Sequence, residues 1–159
     1  MFMKRLLRLS VWLAAAMMLF TAQKCGEKYR YSKDTMVEIS KTACFGRCPV
    51  YTFTLYGDGS ATFNGKRFVE PEGEHRRTYA ADTVNTVFKE LIQADLYQYE
   101  DEYTDQVTDL PTTYLTFKHD GKEKKIKLYY GFPKELEDIA NRLHELAMTS
   151  GWIEVETTK

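Results

Sequence analysis

The chain has 159 residues, 43% hydrophobic and 28% charged, which is one domain's length and a globular rather than disordered or fibrous composition. Three of its 22 basic residues, Lys4, Arg5 and Arg8, lie in the first 23 residues, where there is no acid; without that stretch 19 basic residues face 23 acids, a charge near −4 that argues against nucleic-acid binding. Three cysteines are too few for a disulfide-dense scaffold, and three histidines limit any zinc centre.

Residues 1–23 read as an export signal. Lys4, Arg5 and Arg8 form a positive leading region, and the unbroken apolar run from Val11 to Phe20 follows it. Those ten residues suit the hydrophobic region of a signal, whereas a transmembrane helix wants roughly 18 or more. An uncleaved N-terminal anchor is the alternative. Cys25 stands where a bacterial lipoprotein would be cut and lipidated, although Lys24 and Ala22 occupy the places such signals usually give to a small residue and to Leu. Cleavage between Ala22 and Gln23 by an ordinary signal peptidase is the competing reading. The expected location is the periplasm or the membrane-anchored cell envelope, with membrane contact only through this N-terminal segment.

Residues 24–34 are polar and aperiodic, and are expected to tether a single domain over 35–159. Strand signals begin at Thr35. From Val50 to Tyr56 the side chains alternate, with Tyr51, Phe53 and Leu55 on one face. Gly57-Asp58-Gly59 turns the chain, and Ser60–Asn64 returns with Ala61 and Phe63 inward. Extended pieces are expected at 66–69 and 74–79 around the Pro71-Glu72-Gly73 turn. A helix is expected from Asp82, as N-cap, to about Ala94, with Val84, Val87, Phe88, Leu91 and Ile92 as one buried stripe. A second hairpin follows, Thr113–Lys118 and Glu123–Tyr130 around His119-Asp120-Gly121. Pro133 opens a second helix carrying Leu136, Ile139, Ala140, Leu143 and Ala147; Gly151 is expected to end it and Trp152-Ile153 to fold back on the core. The fold class is therefore α+β, an antiparallel sheet with two helices packed on one face. YTFTLYGDG at 51–59 is echoed by TYLTFKHDG at 113–121, which duplication or convergent hairpin chemistry would explain.

Cys44-Phe45-Gly46-Arg47-Cys48-Pro49-Val50-Tyr51 is the most unusual string. In an extended strand the two cysteines would stand about 13 Å apart, so a disulfide requires a tight turn, which Gly46 permits. In an oxidising compartment a Cys44–Cys48 bridge is expected. A redox-active dithiol is the alternative, although the C-x-x-x-C spacing leads into a strand rather than a helix N-terminus. Metal binding by the pair lacks a second set of ligands.

With TDLPT at 108–112, this string resembles a family of exported bacterial proteins, mainly of Bacteroidota, catalogued as a domain of unknown function and often regarded as lipoproteins. The resemblance covers about residues 35–153. Cys44, Phe45, Gly46, Cys48, Pro49, Tyr51, Asp109 and Pro111 stand at the positions of the family's motif residues. It implies location and fold, and no activity. The poor match around Cys25 is where this chain departs from lipoprotein members.

Glu100–Asp109 holds Asp101, Asp105 and Asp109, but Gln106 and Thr112 stand where a calcium loop needs Gly and Glu, so a solvated acidic loop is expected. Tyr114, Lys125, Lys127 and Tyr129 share a strand face with Thr52, Thr54, Tyr56, Thr62, Thr116 and Lys118. This reads as a solvated open face or as a platform for an anionic ligand or an envelope partner protein. His75, His119 and His144 are expected to be structural. No G-x-S-x-G, Walker loop or G-x-G-x-x-G occurs, and neither cofactor nor metal is expected. The reading is an exported envelope protein with a non-enzymatic binding or structural domain; the alternative is an envelope enzyme or thiol-redox protein using Cys44 and Cys48.

Overall fold

The computed structural model describes residues 27–156, so the signal reading and Cys25 lie outside the described residues. Among the described residues eight strands form one sheet: β1 (Met36–Lys41), β2 (Val50–Tyr56), β3 (Ser60–Arg67), β4 (Gly73–Thr78), β5 (Glu102–Tyr103), β6 (Thr113–His119), β7 (Lys122–Leu128) and β8 (Ile153–Glu154). Their order is β5-β7-β6-β1-β2-β3-β4-β8, antiparallel throughout except for the β5–β7 pair. Two helices, α1 (Ala81–Gln93) and α2 (Lys134–Ala147), pack on one face, which makes the fold α+β.

Strand alternation decides which face they cover. Val37, Ile39, Tyr51, Phe53, Leu55, Phe63, Leu115, Phe117, Ile126 and Leu128 are buried beneath Val84, Phe88, Leu136 and Leu143. The opposite side chains form an open face. β1 is one of the two central strands, and its Val37 and Ile39 are fully buried. The two echoed hairpins flank it in equivalent registers: Ile39 lies opposite Phe53 on one side and Leu115 on the other, and Lys41 opposite Tyr51 and Thr113.

Several boundaries differ from expectation. Ala80, not Asp82, precedes α1 as its cap, because the backbone N–H of Tyr79 is already tied to the carbonyl of Gly59 and the helix starts directly after it. Asp82 sits in the first turn, where its charge suits the helix dipole. Ile92 is exposed, lying about 80° around the helix from Val84 at 100° per residue, while the polar Asn85 is buried. The second helix closes at Ala147, and Gly151 lies four residues beyond it. Trp152 does return to the core, against Phe53, Phe63 and Tyr79, but Ile153 points outward. Within the acidic stretch, Glu102–Tyr103 is a short edge strand rather than loop.

Residues 27–34, expected as a tether, are docked on the domain. The Tyr29 hydroxyl donates to the carbonyl of Tyr79 at 2.7 Å, and the Tyr31 ring packs 5.3 Å from that of Phe88. The Asn85 side chain accepts the backbone N–H of Arg30 at 2.9 Å and donates to the carbonyl of Lys28 at 2.9 Å. The 57–59 turn makes room for this strap: a Cβ at Gly57 would stand 2.3 Å from the carbonyl oxygen of Ser32, and one at Gly59, which has φ +87°, 2.4 Å from the Tyr29 ring.

Candidate functional site

The antiparallel sheet gives the molecule two poles. The turns at 57–59 and 120–121 and the strap crowd one of them. The loops 42–49, 68–72, 104–112 and 129–133 share the other, because the ends of β1, β3 and β7 and the beginnings of β2, β4 and β6 all lie there.

At this loop pole the chain brings together its two motif strings. Thr42 donates its backbone N–H to the carbonyl of Thr112 at 3.0 Å, and its hydroxyl accepts the backbone N–H of Thr112 at 3.0 Å. Directly after Thr42, Cys44 and Cys48 are bridged, with their Cα atoms 5.7 Å apart. Gly46 permits the bend without a left-handed φ; a Cβ there would make only ordinary contact with the Cys44 sulfur, at 3.8 Å. Phe45, at the tip, is 92% exposed. Pro49 is half-buried where the loop enters β2.

Tyr51 belongs to the core rather than to a surface. It is 1% exposed, stacks on Phe63, and its hydroxyl lies 2.6 Å from Nδ1 of His144. Burial raises the Tyr51 pKa, so the phenol keeps its proton and shares a hydrogen bond with Nδ1 as a neutral hydroxyl. The His144 pKa is lowered, first by burial and then by the Lys41 charge; Lys41 itself is half-buried, and burial lowers its own pKa. Asp109 and Pro111 are exposed beside the bridged loop. Asp109 adopts φ +70°, and its carboxylate makes no hydrogen bond among the described residues.

A second cluster lies next to the bridge. β3 ends where Phe68 takes φ +56°, a left-handed conformation that leaves its ring 44% exposed. The Arg47 and Arg67 guanidinium carbons lie 5.5 and 5.1 Å from that ring's centroid. Neither arginine forms an ion pair among the described residues. Arg47, Phe68, Val69, Glu70 and Glu72 line a hollow of about 550 Å³.

The open face places Tyr114, Lys125 and Lys127 together, and carboxylates compensate part of its charge. The Lys127 ammonium donates to Glu102 at 2.6 Å, a bond that raises the lysine pKa, and Lys124 pairs with Asp101. Lys125 stands 5.1 Å from the Tyr114 ring centroid. The Tyr129 hydroxyl donates to the carbonyl of Val107 and ties β7 to the 104–112 loop. The adjoining hollow of about 490 Å³ takes three acids, Asp101, Glu102 and Glu123, alongside three lysines. Among the described residues no three His, Cys, Asp or Glu side chains are placed to hold a metal ion, and no helix is long and apolar enough to cross a membrane.

Sequence reasoning singled out Cys44, Phe45 and Cys48 and expected His144 to be structural, but missed Lys41, Thr42, Arg67 and Phe68. Of these only Arg67-Phe68 carried a local signal, a basic-aromatic step at the end of a strand; the others become neighbours through pairing of distant strands and helices.

Fold and pole together define an α+β domain with one helix-covered sheet face, one open face, and two motif loops stitched at one end. The chain belongs to the family described as a domain of unknown function, DUF6438, which matches residues 35–147. That span contains both motif loops, while the docked strap, Trp152 and β8 lie outside it. No curated protein matches the chain.

Proposed function

We propose that this is an exported cell-envelope protein that acts by binding, and that its loop pole docks a partner protein. The observation that carries the reading is Phe45: a large apolar side chain, 92% exposed, at the tip of a loop closed by the Cys44–Cys48 bridge. An aromatic held out on a short closed loop loses little freedom when it is buried by a partner, which favours its use as an anchor. Phe68, Val107, Leu110 and Tyr130 are exposed on the neighbouring loops, so five of the nine exposed large apolar side chains among the described residues lie on the loops of this end. The disulfide fits an oxidising compartment, and the basic leading region with its ten-residue apolar run supports export. Of the two candidate surfaces, the Tyr114/Lys125/Lys127 face is the weaker for an anionic ligand because Lys127 meets Glu102 and the adjoining hollow holds as many acids as lysines.

The test is a photo-activatable residue placed at position 45 or at position 125 and irradiated in intact envelopes. A discrete adduct from position 45 and none from position 125 is expected. Adducts from 125 alone, or none from 45, would remove the assignment. Catalysis of disulfide reduction that is lost in Cys44→Ser would transfer it to thiol-redox chemistry.

A further inference from the structure

The surface around Phe45 also carries two arginines without an ion-pair partner among the described residues. Arg47 and Arg67 converge on the single ring of Phe68, and neither guanidinium meets a carboxylate within ion-pair distance among the described residues. A ring face attracts a cation but leaves the N–H donors of the guanidinium free. Those donors match a carboxylate in a bidentate fork, and arginine with aromatic residues is the composition of interface hot spots. The left-handed φ of Phe68, uncommon for a residue other than glycine, keeps the ring at the surface between loop and strand.

Resting on the docking assignment above, we infer that the partner is a protein presenting an apolar recess rimmed by Asp or Glu, into which Phe45 inserts while Arg47 and Arg67 pair with the rim. Charge complementarity argues for this occupant over an anionic lipid surface. Glu70 and Glu72 share the hollow with Arg47 and Phe68, and Asp105 and Asp109 lie on the adjoining loop, so a uniformly negative plane would meet repulsion across the pole. A protein can set its carboxylates opposite the two arginines alone.

The experiment uses the full chain in intact envelopes, with the photo-activatable residue at position 45. Charge reversal by R47E/R67E should reduce the adduct by about tenfold or more, as expected for inverted partners of close charge pairs. In the R47K/R67K variant, a carbodiimide that joins amines to carboxylates should couple position 47 or 67 to the same partner, mapped by peptide mass spectrometry. An undiminished adduct in R47E/R67E with no coupling at 47 or 67 would overturn the acidic rim and leave docking intact. No adduct from position 45 in the unaltered background would overturn docking itself. An adduct of twice the chain's mass would identify a second copy, and arginine-dependent sedimentation of R47/R67 protein with phosphatidylglycerol vesicles would identify a lipid surface; either would overturn the proposed partner.

Discussion

At the turn pole the chain closes on itself. Asn85 is buried with its amide shared between Arg30 and Lys28, Tyr29 reaches the Tyr79 carbonyl, and two glycines admit the strap at distances that no side chain would allow. At the loop pole the links are of the same kind, a disulfide and the Thr42–Thr112 bonds, but they hold apolar and cationic side chains outward. One end spends its hydrogen bonds on satisfying its own groups; the other uses them to fix the shape of a surface that is left unsatisfied. Rigidity alone is therefore no sign of function. What separates the ends is whether the groups held in place have partners within the chain.

Substitutions can break this contrast, beginning with the core on which both poles depend. Phe53→Ala should cost about 3–5 kcal/mol as a truncated buried aromatic, read from the denaturant midpoint, and should disturb both ends equally. Gly57→Ala should cost about 1–3 kcal/mol, because the added methyl meets the Ser32 carbonyl oxygen, a backbone atom with little room to move. Asn85→Ala should cost about 1–3 kcal/mol by leaving the Arg30 N–H and Lys28 carbonyl without their partner. Both strap variants should raise amide exchange over residues 27–34 and leave exchange in the 42–49 loop unchanged.

The bridge is a smaller effect. Cys44→Ser should cost about 2 kcal/mol in the chain-entropy account of so short a loop, and should loosen residues 44–48 without affecting the strap. The His144–Tyr51 contact adds a dependence on pH. Burial and the Lys41 charge hold the His144 pKa below its ordinary value of 6.5, so the unfolded chain takes up the proton first. Its contribution is complete above that ordinary value and is lost as pH falls below it; His144→Gln should remove this part of the slope in midpoints measured between about pH 7.5 and 5. Surface changes come last. Phe45→Ala and Lys125→Ala should each shift stability by less than about 0.5 kcal/mol. If Phe45→Ala proved as damaging as Cys44→Ser, the tip would be serving the fold rather than a partner.

The sequence by itself determined the elements whose signals are local. Alternation in 50–56 and 113–119, the turns after them, and the apolar spacing of the two helices identified an α+β chain and the face its helices cover. The Cys44–Cys48 bridge was legible for the same reason, because only three residues separate its ends. Tertiary structure decided the rest. Nothing local marks β1 as a central strand of the sheet, since its place follows from accepting β2 and β6 on its two edges at once. Residues 27–34 read as a polar tether because the groups that satisfy them, Asn85, Phe88 and the 57–59 turn, lie 25 or more positions away. Arg47 reaches the Phe68 ring, and Tyr51 meets His144, only after strands and helix have paired. Periodicity along a chain reports which side of an element is apolar; which elements share an end depends on pairings between distant segments that no local pattern encodes.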